Sequence, residues 1–369
     1  MVSDSDRHEE VSGETLAAVR GYVLMLDAGP DPPVPVTIHV ETAMPSLLES
    51  FGQSFTPDTL AKLGASVGLD PNLVTKGLGA VGPLLTGAMA GQTATPQGLD
   101  GLMKLIPQDG GAGLSNLAGL LLGGAPTEAL SGLFGGSGLG AAGRTLDQKL
   151  GFKASSLLAM AAPVVLGLVS KMRSEQKLDT AGIAKTLQDE QKTFLASGNE
   201  NATLVNTVLA ASKEANATRA RYTDAQWQSI RLGPMAAAQV VMIASPSGPI
   251  GTIKEAGAVA RAVDEVRNAA PPSSLLGIAF EENFTMEELN SLGGRKATKE
   301  QLLSAIKEAV ATVASQGTED AISYRRFLIV VATKVAEASK EGGFLGVGGT
   351  LVSAEEKVAL GEVGVAAGV

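Results

Sequence analysis

Cysteine is absent from the 369 residues, and histidine occurs only twice, at His8 and His39. The first absence excludes disulfides and thiol catalysis. The second removes His-containing triads and His-based metal sites from the body of the chain. Aromatic residues make up only 4% of the chain, so its 44% hydrophobic content rests on Ala, Leu and Val, with 45 glycines between them. Small aliphatic side chains let helices approach closely, and the aromatic strand formers are thin, so the composition predicts an all-α fold. Basic clusters are missing too: the net charge is −9, and only short pairs such as Arg295-Lys296 and Arg325-Arg326 appear. Nucleic acid is therefore not an expected partner. The acidic balance weakly repels anionic membranes. The uncharged run from Ala154 to Val169 holds Pro163 and falls short of the ~20 residues a span requires, so it reads as a buried helix.

What is present is a repeated helical pattern. Leu63 and Gly68 precede Pro83-Leu84-Leu85-Thr86-Gly87 and then Gly98; Leu146 and Gly151 precede Pro163-Val164-Val165-Leu166-Gly167 and then Gly182. The Leu-to-Gly and Pro-to-Gly spacings agree between the two copies, while the intervals between these pairs differ by a few residues, as insertions between helices allow. The pattern predicts that the helices around Pro83 and Pro163 are equivalent and pack near one another.

Helix starts are dense. Thr56-Pro57, Asp70-Pro71, Thr95-Pro96 and Ser245-Pro246 each put a capping oxygen before a proline at the first helical position, where its missing N–H costs nothing. Capping boxes are expected at Thr223/Gln226, Thr285/Glu288, Thr298/Gln301 and Ser353/Glu356. Further helices are expected at about 203–219, 235–244, 253–268 and 321–341, with Trp227 as a core anchor. On the 253–268 helix, Glu255, Arg261, Asp264, Glu265 and Arg267 are expected on the solvated face.

Residues 1–43 read as a flexible leader, or as sequence upstream of a natural start at Met44, with a short strand at Val36–Val40 as the alternative. They show no targeting signal, and the expected location is cytoplasmic. A helical domain at 44–197 carries the repeat. It contains a Gly/Leu-rich insert at 110–143, whose only charged residue is Glu128; the insert reads first as short, close-packed helices dividing the repeat, with a linker or a self-association surface as the alternatives. A second helical domain, a bundle, is expected at 198–369.

Met44-Pro45-Ser46-Leu47-Leu48, Gly68-Leu69-Asp70-Pro71, Val81-Gly82-Pro83-Leu84-Leu85-Thr86-Gly87, Thr95-Pro96-Gln97-Gly98, Leu133-Phe134-Gly135 and Ala161-Ala162-Pro163-Val164-Val165-Leu166-Gly167 follow one another in an order that resembles the YidB-like family of bacterial proteins. The resemblance covers about residues 44–195. It implies a multihelical fold and supplies no catalytic residue, cofactor or metal.

Two functional expectations follow. The leading one is a non-enzymatic scaffold or protein-interaction protein that self-associates through the insert, with Leu120, Leu121, Leu133 and Phe134 as interaction residues. The alternative is a small-molecule or anion-binding protein. It would use Arg325 and Arg326 with the Gly342–Gly349 loop, including Gly343 and Gly346. Against that, the loop follows a helix and lacks Gly-Lys-Ser/Thr, so Gly342 is read as a helix C-cap. Adjacent carboxylates such as Glu281/Glu282, Glu287/Glu288 and Glu355/Glu356 diverge on a helix and do not face a common substrate.

Overall fold

A computed structural model of the chain describes residues 45–123, 127–244, 249–282, 284–292, 297–338 and 352–369. The leader, the Ser245-Pro246 helix start and the 342–349 loop lie outside these residues. Among the described residues every regular element is helical and there is no strand, as the small-aliphatic composition predicts. In chain order the helices are α1 Leu47–Gln53, α2 Pro57–Val67, α3 Pro71–Gln92, α4 Pro96–Leu105, α5 Leu117–Gly123, α6 Thr127–Phe134, α7 Gly136–Leu150, α8 Ser156–Gln176, α9 Thr180–Ala196 and α10 Glu200–Ala220. A 3-10 turn at Ala112–Asn116 precedes α5. The chain continues as α11 Asp224–Ala244, α12 Pro249–Ala269, α13 Leu275–Ala279, α14 Met286–Ser291, α15 Lys299–Ala314, α16 Thr318–Ala338 and α17 Ala354–Ala367.

Residues 45–369 form one compact unit containing two principal hydrophobic cores. The first runs from Leu47 to Val208 and the second from Tyr222 to Ala367. Helix α10 lends Val205 and Val208 to the first core. Its Ala215 meets Ala141 and Ile278 in a small third cluster against Trp227. Trp227 is half-buried there, with the Arg219 guanidinium 4.8 Å from its ring centroid. Arg144 of α7 also ties the halves together. It donates to Glu281 Oε1 at 2.6 Å and to the carbonyls of Pro272 and Gly277 at 2.8 Å.

The expected caps form wherever they are described. The side chains of Thr56, Asp70 and Thr95 accept from the N–H groups of Thr59, Asn72 and Gly98. All four capping boxes are closed, opening α11, α14, α15 and α17. A fifth box, Ser46/Glu49, opens α1.

The repeat has a physical counterpart. Gly68 and Gly151 close α2 and α7 with left-handed φ of 69° and 78°, a conformation that is strained for side-chain-bearing residues. The preceding Leu63 and Leu146 are buried. Pro83 and Pro163 lie inside α3 and α8, and these two helices pack together. Four residues beyond each proline, a glycine makes room for a leucine from another element. A Cβ on Gly87 would come within 2.7 Å of Leu209, and one on Gly167 within 2.9 Å of Leu114. Next, α4 and α9 are capped by Thr95 and Asp179, whose side chains accept from the N–H groups of Gly98 and Gly182. By length and composition α3 and α8 could cross a membrane, but most of the apolar window of each is buried inside the protein.

A proline inside a helix leaves the carbonyl four residues earlier without its usual donor. In α11, Pro234 strands the Ile230 carbonyl, and the Tyr324 hydroxyl of α16 donates to it at 2.6 Å. This bond is buried, and burial pushes the Tyr324 hydroxyl above the ordinary phenol range. Gly233 is what admits the tyrosine, because a Cβ there would lie 2.0 Å from the hydroxyl oxygen. The helix expected to begin at Met235 is therefore the second half of a longer one, continued past its proline by a donor from α16.

Beside this point, Arg231, 7% exposed, is bonded to Glu288 at 2.5 and 3.1 Å and to the carbonyl of Ala279 at 2.6 Å. Its hydrogen bonds hold the Glu288 carboxyl below the usual glutamate range. One buried guanidinium thus fastens the α13–α14 connection onto α11.

Candidate functional site

Among the described residues, an apolar concavity lies on the first core, between α1, the start of α2, α3 and α9. Its volume is about 390 Å³, toward the lower end of the roughly 300–1,000 Å³ typical of ligand cavities. Helix α1 supplies Leu48, Phe51 and Gly52, and the following turn supplies Phe55. Opposite them lie Leu60 of α2, Phe194 of α9, and Thr75, Leu78, Gly79 and Pro83 of α3.

Local chemistry fixes each wall. The Ser46/Glu49 box sets the start of α1, and the Leu47 N–H donates to Glu190 Oε1 of α9 at 2.8 Å. The Phe51 ring lies over Gly82, where a Cβ would come within 2.5 Å of it. Phe55 meets Phe51 edge-on at a centroid distance of 4.9 Å. Such an aromatic pair contributes about 0.5–1.5 kcal/mol beyond its area. Pro83 removes the donor that would have faced the Gly79 carbonyl, and Asn201 Nδ2 replaces it at 3.2 Å.

The electrostatics are as plain as the geometry. No charged side chain appears among the described lining residues. The Thr75 hydroxyl is committed to the Pro71 carbonyl at 2.9 Å, and the Gly79 carbonyl to Asn201. A guest here meets methyl groups and ring faces, with its polar atoms unmatched.

Two shallower clefts flank the Pro107–Gly113 turn, beside Lys171, Arg173 and Lys177. Asp109, Ser170 and Arg173 serve the turn itself, and Lys171 pairs with Glu175. Asp109 accepts from the N–H groups of Gly111 and Gly113 at 3.0 Å, and these bonds hold its carboxyl below the usual range. Ser170 donates to the Pro107 carbonyl at 2.6 Å, and Arg173 to Gln108 at 2.8 Å.

The residues expected from sequence fall elsewhere. Leu121, Leu133 and Phe134 are buried in the first core at 1–5% exposure, and Leu120 is half-buried near Gly113. Burial corrects the reading of Leu121, Leu133 and Phe134 as an association surface. The described part of the Gly/Leu insert folds into short helices that turn Leu121, Leu130 and Leu133 inward. Arg325 and Arg326 do not converge: Arg326 is exposed, while Arg325 lies beside Gly368 at the end of α17, its Nη1 3.5 Å from that carbonyl. Gly343 and Gly346 lie outside the described residues. Among the described residues no three His, Cys, Asp or Glu side chains gather in a way that could hold a metal ion.

Sequence reasoning missed the groove because its walls come from positions 48 to 194. The available signal was scarcity: three of only nine phenylalanines, Phe51, Phe55 and Phe194, converge there.

Fold and site together define an all-α multihelical protein with an apolar groove among its described residues. Residues 49–172, from α1 into α8, match the family described as bacterial protein of unknown function (DUF937). No curated protein and no solved structure matches the chain.

Proposed function

We propose that this is a YidB-like helical interaction protein of the bacterial cytoplasm that acts by binding, and that the groove receives an apolar side chain presented by a partner protein. The observation that carries this reading is the lining: leucine and phenylalanine side chains, with the hydroxyl and the proline-freed carbonyl at its edge already bonded. A polar metabolite would give up its water there without gaining partners, whereas an apolar anchor gains burial. Helices that dock on protein surfaces use such anchors. The burial of most of α3 and α8 inside the fold supports a water-facing rather than membrane-spanning role.

The test is site-specific photo-crosslinking in cells from Thr75, an exposed residue on the groove wall. The expected result is a discrete protein adduct that Phe55→Lys abolishes, its mass separating a second copy of the chain from a different protein. Adducts that persist in Phe55→Lys, or adducts with lipid alone, would overturn the reading.

A further inference from the structure

Among the described residues the most exposed large apolar side chains are Val358 at 62%, Val365 at 76% and Val369 at 68%. The first two lie on α17, and the third follows its Gly368 cap. The opposite face of α17 packs Ala359, Val363, Ala366 and Ala367 into the second core. A helix that is apolar all round is ordinarily covered all round, yet the outer face of α17 is open. Ile322, 45% exposed, lies one turn before Arg325, which reaches Gly368, so the apolar surface continues onto α16 at that end.

The spacing and the flanking charges say what covers this face. Ala354, Val358, Gly361 and Val365, all exposed, follow at intervals of four, three and four residues, the d-a-d-a order of a heptad. Lys357 then takes a g position and Glu362 the e position five residues on, which face each other across the seam of two parallel helices. Lys357 is exposed and joins no ion pair among the described residues. Glu362 accepts from Lys299 at 2.8 Å through Oε1, and its Oε2 has no hydrogen-bond partner among them. Antiparallel pairing would instead set e against e and bring the Glu355 and Glu362 carboxylates of the two copies together.

We propose that α17 is a homodimer interface, its outer face pairing in parallel with the same face of a second copy of the chain. Val358 meets Val358 and Val365 meets Val365, while Lys357 of each copy lies beside Glu362 of the other. β-branched residues at a favour the two-helix pair, and the small residues at d let the helices close on one another. The contact is the same patch on both copies, so assembly stops at two. It is built on the second core and does not depend on the groove.

Sedimentation of the purified full-length chain across a concentration series tests this, and wild type should show a monomer–dimer equilibrium. Val365→Lys should raise the dissociation constant roughly tenfold or more. Its unfolding midpoint at the lowest concentration, where both proteins are monomers, should match that of wild type, because Val365 is exposed in the single chain. Val330→Lys, at a 37%-exposed apolar site elsewhere on α16, should leave the equilibrium unchanged. The chain has no cysteine, so Val358→Cys and Val365→Cys each place one thiol for a short bismaleimide. Each variant alone should give a crosslinked dimer. Crosslinks that form only when the two variants are mixed would overturn the parallel pairing. A wild type that stays monomeric up to its solubility limit, or a dimer as tight in Val365→Lys as in wild type, would overturn the interface.

Discussion

Pro83 in α3 and Pro234 in α11 each strand one carbonyl, at Gly79 and Ile230, and the two carbonyls find different donors. Asn201 reaches Gly79 from the start of α10 at an exposed site, whereas Tyr324 reaches Ile230 inside the second core. Water can stand in for the amide but not for the phenol, since an unmet polar group is costly only where water is excluded. The exposed solution leaves a groove beside the proline. The buried one is sealed, and it constrains three positions at once: a proline, a glycine to admit the ring, and the tyrosine.

The comparison breaks most sharply at Gly233. Gly233→Ala places a methyl 2.0 Å from the Tyr324 oxygen and 3.1 Å from the Ala309 Cβ, so α11 and α16 must part or the tyrosine must leave. A loss of about 3 kcal/mol is expected, the upper end for overpacking, read by urea denaturation. A loss under about 0.5 kcal/mol, the scale of an ordinary surface substitution, would show that these helices adjust freely.

Tyr324→Phe comes next. It leaves the Ile230 carbonyl buried without a donor, and about 2 kcal/mol of stability should go. In a Pro234→Ala background the backbone regains its own donor for that carbonyl, and the cost of removing the hydroxyl should shrink. A double-mutant cycle that shows no coupling would detach the tyrosine from the proline.

Asn201→Ala is the mildest of the three. The Gly79 carbonyl can turn to solvent, so roughly 0.5 kcal/mol is expected, the low end for a hydrogen bond. A cost equal to that of Tyr324→Phe would mean that exposure is not what separates the two sites.

Much of this architecture was legible along the chain because its signals are local. Capping oxygens such as Thr56 and Asp70 act within three residues, and the left-handed turns at Gly68 and Gly151 are written as glycines at matching distances from a buried leucine. The continuity of α11 was not legible. A proline predicts a break, and only Tyr324, 94 residues beyond Ile230, shows why the helix goes on. The inward turn of Leu121, Leu133 and Phe134 was hidden for a similar reason, since sequence shows that leucines are many but not which face is already covered. The groove is the extreme case: Phe51 and Phe194 carry no periodic relation and meet only because α9 returns beside α1.

The connection between α6 and α7 has a consequence for how the chain is made. Asn216 donates to the Phe134 carbonyl at 2.6 Å and accepts from the Gly138 N–H at 2.9 Å, while Ser212 donates to the same carbonyl at 3.1 Å. These partners are 78 to 82 residues apart in the chain. At about 5–20 residues per second, the ribosome delivers the clamp roughly 4–16 s after the turn it closes. During that interval the nascent chain holds α6 and α7 without their fastening, so the first core completes only when α10 has emerged.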